Sequence, residues 1–100
     1  GVLGNEWMFL GFFPQKKGRQ TALKELAVRK EATVFYESSH RIMKLLAELI
    51  EYVPTRTIAI ARELTKMHEE FIKGTSQEVL EVLKSDPKKQ KGEFVVIVYP

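Results

Sequence analysis

Seven polar or ionisable side chains fall within the nine residues from Arg62 to Glu70: Arg62, Glu63, Thr65, Lys66, His68, Glu69 and Glu70. They follow directly on Thr57-Ile-Ala-Ile-Ala61, a nearly unbroken apolar run that suits a strand covered on both faces. A second constellation, Glu37-Ser-Ser-His-Arg41, follows Ala32-Thr-Val-Phe-Tyr36 in the same way. Binding groups often sit at the ends of rigid strands, and α/β sheets collect ligands at the carboxyl ends of parallel strands. If the two strands are parallel neighbours, Arg41, Arg62 and Lys66 meet Glu37 and Glu63 at one edge. That chemistry suits an anionic ligand or a nucleic acid. The plainer alternative is a solvated loop with a few ion pairs.

Other chemistries are excluded or weak. Neither a Gly-x-Gly-x-x-Gly nor a Walker-type phosphate loop is present. His40 and His68 are the only histidines, and neither has a second His or Cys at ligand spacing, so no metal is expected. There is no nucleophile elbow. Ser38 and Ser39 read as caps for the helix that follows, because a serine oxygen accepts from the free amides of a first turn. The chain has no cysteine, which rules out disulfides and thiolate metal sites and fits a reducing, cytoplasmic location. No apolar run approaches the roughly 18 residues of a membrane span. The opening Gly-Val-Leu-Gly-Asn-Glu-Trp7 has no signal-peptide pattern. It also has no initiator methionine, so the chain is expected to be processed or cut from something longer.

One hundred residues, 44% of them hydrophobic, make one small domain with a modest core. The net charge of +3 is unevenly spread. Between Gln15 and Lys30 six cations (Lys16, Lys17, Arg19, Lys24, Arg29, Lys30) face one acid, Glu25. A second cluster, Lys84, Lys88, Lys89 and Lys91, faces Asp86. Such faces invite phosphates, although a solvated helix surface gives the same pattern.

The elements that must position these groups follow from periodicity and punctuation. Trp7–Phe13 reads as an aromatic strand with a bulge or close approach at Gly11, ended by Pro14. A short amphipathic helix covers about 19–30. Ala32–Tyr36 is a second strand. Ile42, Leu45, Leu46, Leu49 and Ile50 form a clear helical stripe that ends near Val53-Pro54. Arg56–Arg62 is a third strand, Leu64–Met67 a connection, and His68–Lys73 an extended segment. Thr75 and Glu78 form a capping box for a third helix carried by Val79, Leu80, Val82 and Leu83. Asp86-Pro87 breaks it. Phe94–Tyr99, apolar on both faces, reads as a central strand. The expected fold is α/β: a single mixed sheet of about five strands with about three helices packed on it, one domain over residues 1–100, without repeats or linkers.

Several stretches resemble one known family. They are Gly11-Phe-Phe-Pro with Lys16, Lys17 and Arg19; Val34-Phe-Tyr-Glu-Ser-Ser-His-Arg41; Ala61-Arg-Glu-Leu-Thr-Lys66 with Glu69; Lys73-Gly-Thr75; and Lys91-Gly-Glu-Phe-Val-Val96. In this order they look like the C-terminal half of the small-subunit (16S) ribosomal RNA (cytidine-2′-O)-methyltransferases, within the tetrapyrrole methylase superfamily. Ser39 departs from the proline or threonine usual there, a change the turn should tolerate. The resemblance implies a two-domain enzyme that uses S-adenosyl-L-methionine, bound in the cleft between domains, with ribosomal RNA as substrate and a homodimeric assembly. The N-terminal domain with its glycine-rich cofactor loops is absent, so this chain alone is expected to be inactive.

The resemblance further implies that Phe35, Tyr36, Glu37 and Ser38 line the cofactor, largely through backbone groups. Arg41 is expected to hold Glu37 or a phosphate. Arg62 would bind the RNA backbone, and Lys16, Lys17 and Arg19 would widen the electropositive rim. Lys66 is the candidate to assist deprotonation of the ribose hydroxyl, with an ion pair to a neighbouring glutamate as its alternative role. Two other functions stay open at this point: a non-catalytic RNA-binding or dimerisation module, and half of a tetrapyrrole-precursor methylase.

Overall fold

The computed structural model describes residues 6–65 and 68–100. Strands β1 (Trp7–Phe12), β2 (Ala32–Ser38), β3 (Thr57–Thr65), β4 (His68–Thr75) and β5 (Glu93–Val98) and helices α1 (Arg19–Val28), α2 (Ile42–Tyr52) and α3 (Ser76–Ser85) follow in the order β1-α1-β2-α2-β3-β4-α3-β5. A 3-10 turn, Pro87–Gln90, precedes β5. The strands form a single sheet in the order β1-β2-β5-β3-β4. Among the described residues only β1 and β2 pair in parallel, so the sheet is mixed as expected. The central position of β5 agrees with its unbroken apolar run.

Period-two alternation sorts the strand residues between two faces. Register aligns Phe35, Val96, Ile60 and Ile72 in one row, and Thr33, Val98, Ile58 and Gly74 in the next. The apolar members of these rows pack under all three helices, against Leu23 and Leu26 of α1, Leu45, Leu46 and Leu49 of α2, and Val79 and Leu83 of α3. The opposite face carries a smaller cluster of Ala32, Ala59 and Ile97 with Val34 and Tyr99. Among the described residues no helix covers it, and Trp7, Phe9, Tyr36 and Phe71 remain exposed there. The result is one helical layer on one sheet.

Local expectations hold where local chemistry is strong. The capping box is present: Thr75 Oγ1 accepts from Glu78 N–H, and Glu78 Oε1 accepts from Thr75 N–H at 2.8 Å. Gly11 sits at φ 74° inside the register shift between Phe9 and Phe12, where a side chain would be strained. Others need correction. Neither Ser38 nor Ser39 caps α2. Strand β2 runs on through Ser38, a turn closed by Arg41 N–H on the Ser38 carbonyl follows, and Arg41 is the N-cap without a side-chain cap bond. Strand β3 extends to Thr65, because pairing with β4 continues the ladder past the apolar run. The stretch expected as a connection is therefore partly strand. None of the described helices is long and apolar enough to cross a membrane.

Leu46 is fully buried, so Leu46→Ala should cost about 2–5 kcal/mol. Loss of the cap in Thr75→Ala should cost about 1 kcal/mol. Urea denaturation of the two variants against the parent chain measures both.

Candidate functional site

Strand direction brings the polar groups to one end of the sheet. β1 and β2 are parallel, and β5 runs antiparallel to both β2 and β3. The carboxyl ends of β1, β2 and β3 therefore lie at the same end as the amino end of β5. The Pro14–Gly18 connection, the Ser39–Arg41 turn and the 3-10 turn with Lys91 and Gly92 emerge there. β2 and β3 point the same way but are not neighbours: β5 lies between them. At about 4.8 Å per strand spacing, the two constellations stand about 10 Å apart instead of adjoining.

One row of residues crosses this end on the helical face: Glu37, Phe94, Arg62 and Glu70. Phe94 is fully buried, Glu37 is 1% exposed and Arg62 4%. Charges so deprived of water must be paired and hydrogen-bonded. Glu37 Oε1 accepts from Arg41 Nε and from the Ser38 backbone N–H, both at 3.0 Å. Its Oε2 lies 3.7 Å from the Arg19 guanidinium. Arg19, itself buried, donates to Glu48 at 2.6 and 3.0 Å and to the Pro14 carbonyl at 2.7 Å, and it stands 5.4 Å from the Phe13 ring centroid. One guanidinium thus ties the β1–α1 connection to α2 and to the end of β2.

The other half of the row is organised by Arg62. It donates to the carbonyls of Lys88 and Lys91 and, at 3.2 Å, to Glu70 Oε1. Glu70 Oε2 accepts from the Lys89 ammonium. That hydrogen bond is the main reason the Glu70 carboxyl titrates below its ordinary value. The charges of Lys89 and Arg62 reinforce it against the upward push of burial.

These placements sort the expected site residues. Lys16 and Lys17 are exposed on the β1–α1 connection, and Arg41 is half-buried with its Nε on Glu37. Arg19 and Arg62 are buried with their terminal guanidinium nitrogens on protein acceptors, and Arg62 Nε is buried without a partner among the described residues, so neither stands as an open cation. Phe35 is fully buried beneath the helices, whereas Tyr36 is 40% exposed and Ser38 half-buried on the opposite face. Lys66 lies outside the described residues. Lys88, Lys89 and Lys91 also come to this end. Their charge was legible as a cluster, but their proximity to the Glu37 turn depends on β5 running back between β2 and β3.

Could the end of β2 contribute to a cofactor site? Glu37 Oε2 and Ser38 Oγ are buried without a hydrogen-bond partner among the described residues. Ser38 shares its face with the exposed Tyr36 ring, which meets Phe9 and Phe12 at 5.3 Å between centroids. An aromatic surface beside an unsatisfied hydroxyl fits a nucleoside carrying an amino-acid tail. A concavity of about 800 Å³ lined by Trp7, Arg29 and Glu31 lies at the other end of the sheet. Among the described residues no group of three or more His, Cys, Asp or Glu is arranged to hold a metal.

The fold is that of solved tetrapyrrole methylases. The chain matches the crystal structure of the methyltransferase CobJ with a TM-score of 0.61 at 22% identity, and that of cobalt precorrin-4 methyltransferase CbiF at 0.65 and 12%. It aligns over 98% and 99% of its own length and 42% of each of those chains. In sequence it is similar to proteins named ribosomal RNA small subunit methyltransferase I. Identity is 43% over 99 residues with that of Coprothermobacter proteolyticus, 39% with that of Bacillus subtilis and 36% with that of Thermotoga maritima. Each match covers 98% of this chain but only 42%, 33% and 43% of the relative, respectively. The chain therefore spans less than half the length of these relatives. No family model matches. The resemblance read from the motifs is borne out: over its whole length the chain is a homologue of part of the ribosomal RNA small subunit methyltransferase I proteins.

The Glu70 cluster predicts an acid response. Because folding lowers the carboxyl's titration point, its contribution to stability is present above about pH 4.5 and is lost as pH falls through the lowered value. Lys89→Met removes the largest cause, so the acid limb of its stability–pH curve should be flatter than the parent's, as measured by urea midpoints between pH 7 and 3.

Proposed function

We propose that this chain is the C-terminal half of a two-domain methyltransferase that uses S-adenosyl-L-methionine to methylate a cytidine ribose 2′-hydroxyl in small-subunit ribosomal RNA. One observation carries the proposal: similarity of 36–43% along the whole chain to relatives bearing a ribosomal RNA methyltransferase name. The likeness to tetrapyrrole enzymes rests on 12–22% identity and speaks for the fold. RNA is therefore favoured over a tetrapyrrole precursor as substrate.

The half-site supports this reading. Tyr36 and Ser38 offer an aromatic surface and a hydroxyl to the cofactor. Phe35 and Glu37, buried beneath them, fix the strand end. Lys16, Lys17 and Arg41 lie at the same end, where a phosphodiester backbone can approach. Arg19 and Arg62 serve the scaffold in this scheme. The sulfonium supplies a methyl group already activated for transfer, so the protein's work is to align the ribose oxygen and help its proton depart. Lys66 remains the candidate for that assistance. The single wall needs a second domain to close it, hence an isolated chain without activity. A homodimer belongs to the proposal, and the exposed aromatic sheet face offers apolar surface for such an assembly. A cytoplasmic location goes with the substrate.

Calorimetric titration of S-adenosyl-L-methionine into this chain, and into the chain joined to an N-terminal half, tests the scheme. Binding is expected only for the joined protein. Tyr36→Ala there should weaken it roughly tenfold, about 1.4 kcal/mol. Mass spectrometry of small-subunit RNA treated with the joined protein should then show a 2′-O-methylcytidine. Absence of cofactor binding by either protein would sink the proposal.

A further inference from the structure

The basic turn before β5 is anchored with unusual thoroughness for a solvated lysine cluster. Arg62, 4% exposed, directs its guanidinium to the carbonyls of Lys88 and Lys91. Lys89 is tied to Glu70. Asp86 Oδ1 accepts from the Lys88 backbone N–H at 3.1 Å, and the Gln90 amide donates to the Leu83 carbonyl at 2.9 Å. Arg62 thus draws the turn's backbone onto the sheet end, Gln90 ties it to α3, and Asp86 closes its first residues. The Lys88 and Lys91 residues remain exposed, and neither has an ion pair among the described residues. A surface that merely needed charge for solubility would not require a buried arginine beneath it.

Topology places this turn where the proposed substrate lies. It leads into Glu93, which register puts opposite Ser38 on one side and Glu63 on the other. Lys16 and Lys17 emerge at the same end, after β1. We infer that the turn Pro87–Lys91 is a phosphate-binding element for RNA, with Lys88 and Lys91 as its contacts and Arg62 as its positioning residue. This rests on the proposed function and adds to it a binding element outside the residues taken above to meet RNA.

The physical case has three parts. A turn already held in place loses little freedom when a phosphodiester docks, so more of each charge contact survives as affinity. The planar, multi-donor guanidinium can grip two carbonyls and a carboxylate together, which a lysine ammonium does with far less geometric definition. With both terminal nitrogens on protein acceptors and its side chain buried, Arg62 acts on RNA through the turn. Lys89 is a tether, because Glu70 holds its ammonium.

The test is RNA affinity as a function of salt, using this chain, a hairpin of small-subunit ribosomal RNA and a shuffled hairpin of equal length. Each phosphate contact contributes about one to the slope of log affinity against log salt. Lys88→Ala/Lys91→Ala should lower the slope by about 2 and weaken both hairpins to a similar degree, roughly tenfold at 0.1 M salt. Lys24→Ala/Lys30→Ala, which removes the same charge from α1 and the loop after it, should leave the slope near the parent's. Arg62→Lys keeps net charge, yet its slope should fall because the turn is no longer clamped. A role in folding alone would not move that readout. Should Arg62→Lys fail to fold, the double lysine variant still decides. An unchanged slope in Lys88→Ala/Lys91→Ala, or an equal loss in the control pair, overturns the inference while leaving the methyltransferase proposal standing. If the parent chain binds neither hairpin, the inference falls too, whereas cofactor binding and methyl transfer by the joined protein still judge that proposal independently.

Discussion

A charged row buried at one end of an otherwise apolar sheet constrains everything around it. Two rows toward the centre are almost wholly hydrocarbon: Phe35, Val96, Ile60 and Ile72, then Val98 and Ile58 flanked by Thr33 and Gly74. The next row outward holds Glu37, Arg62 and Glu70 around Phe94, with Glu37 and Arg62 almost wholly out of water. Removing one partner from a buried ion pair commonly costs several kcal/mol, since the charge left behind has neither water nor counter-ion. The loops at this end are consequently shaped to bring partners in. Arg19 and Arg41 reach Glu37, while the lysine turn turns its carbonyls to Arg62.

That arrangement divides the cations into two populations. Arg19 and Arg62, with planar forks suited to several acceptors at once, lie inside and hold the loops. Four lysines, compact and strongly hydrated, stand outside on those loops. Lys16 and Lys17 ride on the connection that Arg19 fastens through Pro14, and Lys88 and Lys91 ride on the turn that Arg62 fastens. An electropositive end built this way has a fixed shape. The sheet face away from the helices keeps its aromatic residues Trp7, Phe9, Tyr36 and Phe71 exposed.

Much of the scaffold was legible in the residues. The α2 stripe, the capping box at Thr75, the bulge at Gly11 and the two-faced apolar run of β5 are local signals. Periodicity, a side chain accepting from a nearby amide, and a backbone conformation only glycine adopts easily are decided within a few residues. The likeness to ribosomal RNA methyltransferases was equally legible, because Phe35-Tyr-Glu-Ser-Ser-His-Arg41 and Ala61-Arg-Glu-Leu-Thr-Lys66 are long and unusual strings. Element ends were less so. Ser38 looks like a helix cap by type, yet β5 pairs with it through Glu93 and keeps it in the strand.

What the amino-acid sequence determined by itself was therefore the inventory: which segments are strands or helices, which carry charge, and which family they resemble. Only the tertiary structure decided which charges face water. Arg41, Arg62 and Arg19 are alike in composition terms, but the first lies half-exposed and the other two are buried, because strand register and helix packing set desolvation. It also decided that β5 runs between β2 and β3. That single crossing separates the two constellations by a strand and carries the lysine turn to their end of the sheet. Pairing across dozens of residues depends on the summed burial of the whole core, and no local pattern encodes it.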